Sequence, residues 1–237
     1  MPNSFQKKPN RTEIERSAAI GCLAAVIEGI KGAISPHTQS LLQLFYHAFS
    51  DADDTVLSDS AFATGLLVEF SEEDLSQEYL HILKVLRPLF VVQPDDSDQK
   101  SIAKDNATGA VARLILRNTA AVPLNKVLPT FIDALPLEKD YDENRPVFRA
   151  LFHLFKTNGR VLYPFLDRLL PVFRHVLTPS GEEDCSEEED CSEEEDCSEK
   201  GQIDQDIRSE LIHLIGLINK EVPDKVQAAN LGMYIQT

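Results

Sequence analysis

A five-residue pattern recurs four times along this chain at a nearly constant interval, and it restricts the fold more than any other feature. The pattern begins with Leu or Val and ends with Phe, and three of its four copies have Pro in the middle. The copies are Leu41–Phe45, Leu86–Phe90, Val127–Phe131 and Leu169–Phe173, with central positions 45, 41 and 42 residues apart. A second marker, small residues before a glycine, recurs at Gly21, Gly65 and Gly109, at intervals of 44 residues. Two interleaved markers with one period predict an array of structural repeats.

The apolar residues follow helical periodicity along the chain. In one segment they fall at i, i+4, i+7, i+8 and i+11, on Ile207, Leu211, Leu214, Ile215 and Ile218. This spacing is typical of a helix with one buried face, and no segment has a convincing strand pattern. A period of about 40–47 residues built from helix pairs indicates HEAT or armadillo repeats. We therefore predict an all-α fold, an α-solenoid of about four to five helix pairs in a right-handed superhelical stack.

Two kinds of helix alternate in this prediction. Helices with a central Pro are assigned to an outer layer, because Pro bends a helix, and helices with Ala and Gly at their middle form an inner layer. Asp53, Asp105 and Asp204 are expected to cap inner helices or to stabilise their first turns. The predicted helices span residues 11–31, 36–49, 54–70, 75–92, 101–118, 123–135, 143–158, 162–177, 203–220 and 223–232.

The first predicted helix, residues 11–31, is an inner helix without an outer helix before it. Residues 1–10 are polar, are predicted to be disordered, and cannot supply that partner. We therefore expect the stripe Ile20, Leu23, Ala24 and Ile27 to be exposed, although solenoid ends normally carry polar caps. The sequence is accordingly expected to be a piece of a longer array.

An intensely acidic segment interrupts the last repeat. Residues 182–200 contain twelve acids and one lysine, and so contribute −11 to the net charge of −16. The distance from Gly109 to Gly216 is 107 residues, which is two periods of 44 plus about 19. We therefore predict HEAT repeats over residues 11–178, an acidic low-complexity loop within a repeat at 179–202, and terminal HEAT helices over 203–237. Like charges at this density favour an unfolded segment.

Three interpretations of the acidic segment stay open. The segment is a solvated loop without a role, or an electrostatic arm that captures or shields basic cargo. The third interpretation is a metal site formed by Cys185, Cys191 and Cys197. The six-residue spacing of these cysteines fits no zinc pattern. Ser186 and Ser192 are candidate phosphosites, because acids follow each of them at the next three positions. The candidate cargo-binding arm comprises Glu182, Glu183, Asp184, Glu187, Glu188, Glu189, Asp190, Glu193, Glu194, Glu195, Asp196 and Glu199.

Composition and motifs exclude several function classes. No apolar run approaches the ~18 residues of a membrane span, and the N-terminus has no secretory signal. The acidic balance disfavours nucleic acid and favours a basic protein partner. No Gly-rich phosphate loop occurs and the six histidines are dispersed, so we predict no catalytic residue, cofactor or metal and no enzymatic activity. A basic group, Arg145, Arg149, Lys156 and Arg160, is interpreted as a solvated helix face or as a contact for the acidic segment.

Several stretches resemble a known family. They are Ser17-Ala18-Ala19-Ile20-Gly21, Asp51-Ala52-Asp53, Ala61-Phe62-Ala63-Thr64-Gly65-Leu66-Leu67, Asp105-Asn106-Ala107-Thr108-Gly109-Ala110-Val111-Ala112-Arg113, Val127-Leu128-Pro129 and Ala134-Leu135-Pro136-Leu137-Glu138-Lys139-Asp140. Together they are similar to the C-terminal HEAT repeats of the importin-β (karyopherin-β) family, of the beta-4 type that imports ribosomal proteins and histones. The resemblance covers about residues 11–177 and does not include the acidic segment.

The resemblance implies the cargo-side end of a nuclear transport receptor. Inner helices would hold basic cargo such as histones or ribosomal proteins, and outer helices would bind Phe of nucleoporin Phe-Gly repeats. The Ran GTPase would bind only if a longer chain supplies the family's N-terminal repeats. The expected location is the cytoplasm and nucleus, and the nuclear envelope at pores. The alternatives are a HEAT scaffold without a transport role, or a truncated importin paralogue that acts as an acidic binder of basic proteins.

Overall fold

A computed structural model describes residues 12–178 and 202–235. This part of the chain forms ten α-helices and short 3₁₀ turns, with no strand, which confirms the all-α prediction. The predicted disordered residues 1–10 and most of the predicted acidic loop lie outside the described residues. The helices are α1 Glu13–Ile30, α2 Thr38–Ala48, α3 Asp54–Phe70, α4 Tyr79–Leu86, α5 Asp98–Asn118, α6 Leu124–Asp133, α7 Asn144–Asn158, α8 Leu166–Leu177, α9 Gln205–Glu221 and α10 Pro223–Ala228.

The helices form two layers, as the alternation of Pro and Gly markers predicts. The odd-numbered helices make the inner layer, in which α1 packs on α3, α3 on α5, α5 on α7 and α7 on α9. Inner-helix contacts join residues about one period apart: Ser17 to Asp59 at 2.5 Å and Asn106 to Ser58 at 2.9 Å. Neighbouring inner helices therefore run in the same direction. The described residues thus form five helix pairs, and the right-handed superhelix stays a prediction.

The recurring Phe of the five-residue pattern is a core residue. Phe45, Phe131 and Phe173 are fully buried between the two layers. Phe90 is only half-buried, because α4 ends at Leu86 and the chain continues as the 3₁₀ turn Arg87–Phe90. The predicted helix over 75–92 is therefore wrong at its end. Pro88 has no N–H to donate to the preceding turn, which favours this early end.

The expected exposed stripe on the first helix is also wrong. Ile20, Ala24 and Ile27 are buried, Leu23 is half-buried, and they pack towards α3. The opposite face of α1 is the bare one, with Ile14 73%, Val26 48% and Ile30 45% exposed. A helix that is apolar on both faces can bury only one of them against a single neighbour.

One stretch of the described residues has the length and hydropathy of a membrane span. It runs over Glu13–Ala48, with a mean hydropathy of 1.6 and 22% of an 18-residue window buried. The prediction that no apolar run approaches ~18 residues is therefore wrong when the run is judged by its mean hydropathy. The stretch is not one straight helix, because Lys31 adopts a φ of 48° and Pro36 lies in a 3₁₀ turn before α2. A mostly buried core helix and a signal sequence near the N-terminus have the same length and hydropathy, and α1 packs on α3 along one face only.

Truncating a core side chain of α5 tests the two-layer packing. Leu114 is fully buried, so Leu114→Ala is expected to lower the free energy of unfolding by about 2–5 kcal/mol through lost contacts and a cavity. The measurement is urea denaturation followed by circular dichroism. Leu80→Ala is the matched control, since Leu80 is 66% exposed and its loss should change stability by less than about 0.5 kcal/mol. Equal losses in both variants would contradict the packing described here.

Candidate binding groove on the inner helices

A groove of about 960 Å³ lies against the inner layer, between α3, α5 and the start of α7. We call it the inner groove. Its apolar floor is formed by Phe62, Leu66 and Phe70 of α3 and Leu116 of α5. Its rim carries charged side chains from every inner helix except α9, and from the loop that precedes α7. Residues just before α9 complete one side, so the groove is lined by four inner helices and by the segment that leads into the fifth.

A buried ion network closes the base of the inner groove. Arg113 donates from Nε to Glu69 Oε2 at 2.8 Å and from Nη2 to Glu143 Oε1 at 3.0 Å, and its Nη1 bonds the other Glu143 oxygen. The side chains of Arg113 and Glu143 are only 7% and 2% exposed. The Arg113 guanidinium carbon also lies 5.8 Å from the Phe62 ring centroid, within cation–π range. One arginine of α5 thus connects α3 to the start of α7.

Burial changes the proton affinity of this network. It raises the pKa of the Glu143 carboxyl above its ordinary value, and the Arg113 guanidinium only partly offsets that rise. The same two carboxylates, Glu143 and Glu69, raise the pKa of Arg113, so the arginine keeps its charge. The positive charge of Arg113 is therefore paired with Glu69 and Glu143 inside the protein.

The glycine marker has a different meaning at different repeats. A side-chain carbon at Gly109 would overlap the Glu143 carboxylate, and one at Gly65 would lie 3.1 Å from Ala110 Cα. Gly21 and Gly216 have open space around the same position. Glycine therefore allows close approach between neighbouring elements at Gly65 and Gly109, but it does not have this role at Gly21 or Gly216.

Asp105 is not a helix cap of its own helix, contrary to the prediction. It lies in the second turn of α5, and its Oδ2 accepts backbone N–H bonds from Glu138 at 3.0 Å, Lys139 at 2.7 Å and Asp140 at 3.0 Å. It therefore holds the loop before α7. The sequence-based expectation fails because α5 begins three residues earlier than predicted, at Asp98. Burial raises the pKa of Asp105, the three N–H bonds oppose the rise, and Oδ1 has no hydrogen-bond partner among the described residues.

The other two turn acids behave differently from each other. Asp53 is the N-cap of α3 and accepts from Thr55 N at 3.0 Å and Val56 N at 3.2 Å, which confirms the prediction. Asp204 stands at the N-cap position of α9, but its carboxylate bonds Arg145 of α7 instead of the α9 backbone. A tertiary ion pair here replaces the local cap.

The predicted basic group is divided between two places. Arg145 bonds Asp204 and also Asp206, the latter from Nη2 at 2.9 Å, and Arg149 lies 4.0 Å from the same Asp206 carboxylate. Lys156 and Arg160 instead line a second groove, of about 1010 Å³, between α7 and α9. The floor of that groove includes Phe152, Phe155, Leu214 and Leu217. The four cations therefore do not form one surface.

The basic residues of the inner groove are paired within the protein, whereas two of its acids face outward. Besides Arg113 and Arg145, its basic residues include Arg117, which donates to Ser71 O at 2.9 Å, and Lys139, which pairs with Asp98 at 3.0 Å. Among the described residues, the side-chain carboxylates of Glu28 and Asp142 on the rim form no hydrogen bond or ion pair. A cationic segment in the groove would find these carboxylates above an apolar floor. Its aliphatic stems could cover that floor.

The predicted acidic arm, residues 182–199, lies outside the described residues, together with Ser186, Ser192 and the three cysteines of that segment. Its downstream flank is described: Gln202 lies on the rim of the inner groove, and its carbonyl accepts from Asn144 Nδ2 at 2.9 Å. Residues 179–201 therefore rejoin the described part of the chain at this rim.

Sequence reasoning missed the Arg113 network and its link to Phe62. The available signal was an arginine four residues after Gly109, on the small-residue face of a predicted inner helix. Across 12–178 and 202–235, no three His, Cys, Asp or Glu side chains are grouped as metal ligands.

Comparison with known proteins identifies relatives of one kind. The chain is 37% identical over 201 residues to the probable importin subunit beta-4 of Schizosaccharomyces pombe, which covers 85% of the chain and 17% of that protein. It is 25% identical over 222 residues to human importin-4, covering 94% and 18%, and 26% identical over 170 residues to mouse importin-4, covering 72% and 15%. The chain thus spans less than a fifth of the length of these relatives. No protein-family model matches it.

Two glycine substitutions are expected to have opposite effects. Gly109→Ala should lower the free energy of unfolding by about 1–3 kcal/mol, because the new methyl group displaces the Glu143 carboxylate from Arg113. Gly216→Ala, in open space inside α9, should raise it by about 0.5–1 kcal/mol through the better helix propensity of Ala. Urea midpoints at constant m-value measure both. A Gly109→Ala protein as stable as the wild type would contradict the close contact.

Replacing Asp105 by Asn is expected to change how stability depends on pH. Because folding raises the pKa of Asp105, the folded state binds this proton more tightly than the unfolded state. Wild-type stability should therefore fall relative to Asp105→Asn as pH rises from about 4, and the difference should level off above the folded-state pKa. Urea midpoints of both proteins between acid and neutral pH test this.

Asp105→Ala is the control for the Asp105 carboxyl as an acceptor. It removes the partner of three backbone N–H groups and should be about 1–3 kcal/mol less stable than Asp105→Asn at every pH, because neither Ala nor Asn titrates there. If the wild type instead becomes more stable relative to the Asp105→Asn variant as pH rises, the carboxylate form of Asp105 is not destabilised by burial.

Proposed function

Because this chain belongs to the importin-β family, of the beta-4 type, we propose that it forms the cargo-binding section of a nuclear transport receptor and binds basic proteins such as histones or ribosomal proteins. Membership of this family supports a role in transport, and the relatives that the chain matches are importins. The cargo is our inference from the surface chemistry. The cargo would lie against the inner helices.

The charge distribution of the inner groove is the observation that carries this proposal. Its arginines are held by the chain's own groups, Arg113 by Glu69 and Glu143 and Arg145 by Asp204, while Glu28 and Asp142 stay outward. Lysine and arginine side chains of a cargo would therefore meet carboxylates that have no internal cation. The apolar floor would then bury their hydrocarbon stems.

The acidic segment supports the same cargo class. Its twelve acids in residues 182–200 are tethered to the rim at Gln202, so they would raise the local concentration of a cation near the groove. Such steering acts mainly on the association rate. Phosphorylation of Ser186 and Ser192 would add about −1.5 to −2 charges at each site and strengthen it.

Passage through nuclear pores would use the outer layer. Leu80 and Val91, which lie on or next to the outer helix α4, are largely exposed apolar side chains. Such side chains suit weak contacts with the Phe of nucleoporin Phe-Gly segments, and many weak contacts add by avidity. The protein would then occur in the cytoplasm and nucleus and at the nuclear envelope, with Ran acting only where a longer chain supplies its binding repeats.

The test is binding of the full 237-residue chain to a core histone at ~150 mM salt, where the Debye length is about 8 Å. Glu28→Lys combined with Asp142→Lys should weaken binding by about tenfold, or 1.4 kcal/mol, because cargo cations then meet like charge. Glu72→Lys with Glu73→Lys changes net charge equally on exposed acids outside the groove and should weaken it by no more than about twofold. Deletion of residues 182–199 should mainly slow association.

Hen lysozyme, a basic protein unrelated to nuclear cargo, controls for non-specific attraction. Equal weakening by the two charge-reversed pairs, or equal affinity for lysozyme and histone, would reduce the site to general acidity. No measurable histone binding by the wild type would overturn the proposed cargo.

A further inference from the structure

The second groove opens where two consecutive inner helices do not close on each other. Its walls are α7 and α9, and its floor combines Phe152 and Phe155 of α7 with Leu214 and Leu217 of α9. Leu217 is 45% exposed within this groove. Because the groove lies between two helices of the stack, an inner helix that followed α9 would pack on the other side of α9 and would not fill it.

Large side chains at two positions account for the opening. The corresponding contact between α3 and α5 is close, because Gly65 lies against Ala110. Phe152 stands 43 residues after Gly109, so α7 has a phenylalanine at the position of the glycine marker. Leu217 stands 107 residues after Ala110, so α9 has a leucine at the position of that alanine. The distance between packed helices depends on the side chains at their contact, and these two keep α7 and α9 apart.

Three cations without an internal partner lie at one end of the second groove. Lys156 and Lys220 are in the last turns of α7 and α9, which run in the same direction, and Arg160 follows Lys156 by four residues. All three side chains are exposed, and none of them forms an ion pair or a hydrogen bond among the described residues. The basic residues of the inner groove, in contrast, are paired within the protein.

The acids of the second groove leave this end with a positive balance. Glu221 lies at the same end and accepts a hydrogen bond from the Tyr163 hydroxyl. Glu210 lies ten residues before Lys220 on α9, about 15 Å along the helix, which exceeds the Debye length of about 8 Å at physiological salt. Three cations therefore face one carboxylate at this end, in a chain of net charge −16.

We propose that the second groove binds an acidic peptide segment of a partner protein, with Leu or Phe side chains on its floor and Asp or Glu side chains at its cationic end. Its volume of about 1010 Å³ is that of a large ligand pocket and admits a short segment of chain. The floor supplies hydrophobic burial, and the cations select an acidic segment over the basic cargo proposed for the inner groove. The chain would then hold partners of opposite charge at two separate sites.

The chain's own acidic segment is a less suitable occupant. Residues 182–200 contain no Ala, Val, Leu, Ile, Met, Phe or Tyr, so they cannot cover the apolar floor. They rejoin the described part of the chain at Gln202, which bonds Asn144 at the start of α7, whereas the cations lie at the other end of that helix. Occupation by this segment is therefore kept as an outcome of the test.

The probe is a short synthetic peptide in which Glu alternates with Leu and Phe, and its binding to the full chain is followed by fluorescence anisotropy. Lys156→Glu combined with Lys220→Glu should weaken binding by at least about tenfold, because the peptide carboxylates then meet like charge. Lys84→Glu with Lys126→Glu changes the net charge equally on exposed lysines of α4 and α6 and should weaken it by no more than about twofold. Circular dichroism confirms that both variants are folded.

The apolar floor is tested separately. Leu217→Gln should weaken peptide binding by about threefold or more through lost hydrophobic contact. Leu80→Gln, the same change at an exposed leucine of α4, should leave binding unchanged. A peptide with Ser in place of Leu and Phe, and one with Lys in place of Glu, should each bind at least about tenfold more weakly.

Four results would overturn the proposal. They are no peptide binding by the wild type or by a variant that lacks residues 182–199, equal weakening by the two pairs of charge reversals, and equal affinity for the serine or the lysine peptide. The fourth is a gain of more than about tenfold when 182–199 are deleted, which would assign the groove to the chain's own acidic segment. Histone binding, measured in parallel, should change by no more than about twofold in the Lys156→Glu, Lys220→Glu variant, which separates this test from that of the inner groove.

Discussion

One buried arginine constrains how α3, α5 and α7 stack. Arg113 projects from α5, bonds Glu69 of α3 and Glu143 at the start of α7, and so connects three consecutive inner helices. A buried charge is tolerated only when it is paired and hydrogen-bonded, so a shift of either neighbour would leave a costly unpaired ion. Gly109 makes the pairing possible, because any side chain there would occupy the space of the Glu143 carboxylate.

The same network shapes the surface that cargo would meet. Because Arg113 and Arg145 are engaged by the chain's own acids, they add little positive potential to the inner groove. The acids left outward, Glu28 and Asp142, then set its sign, above a floor that includes Phe62. Under the proposed function, the packing that holds the repeats in register would also make the groove attractive to a basic partner. The charge of the site follows from pairing and not from composition alone.

Much of the architecture was predictable because each repeat packs in the same way and therefore has the same residue types at equivalent positions. The recurring Phe marks the core at Phe45, Phe131 and Phe173, and central prolines mark the outer layer. The ends of the helices were less predictable. Helix α4 ends before Pro88, and α5 begins at Asp98, three residues before its predicted start. For the candidate site, only the acidic character was predictable from the sequence. The Arg113 network was not, because it joins residues that are 30 and 44 positions apart in the chain.

The sequence by itself determined the all-α repeat fold, the family and the position of the acidic segment, because period and local composition are properties of the chain read in order. Only the tertiary structure decided which face of α1 is buried, since both faces are apolar and the choice rests on where α3 lies. It likewise decided that Asp105 holds the loop before α7 and that Asp204 bonds Arg145. The same residue type caps a helix at Asp53 and anchors a neighbouring repeat at Asp105, because burial and nearby donors, not identity, select its partner.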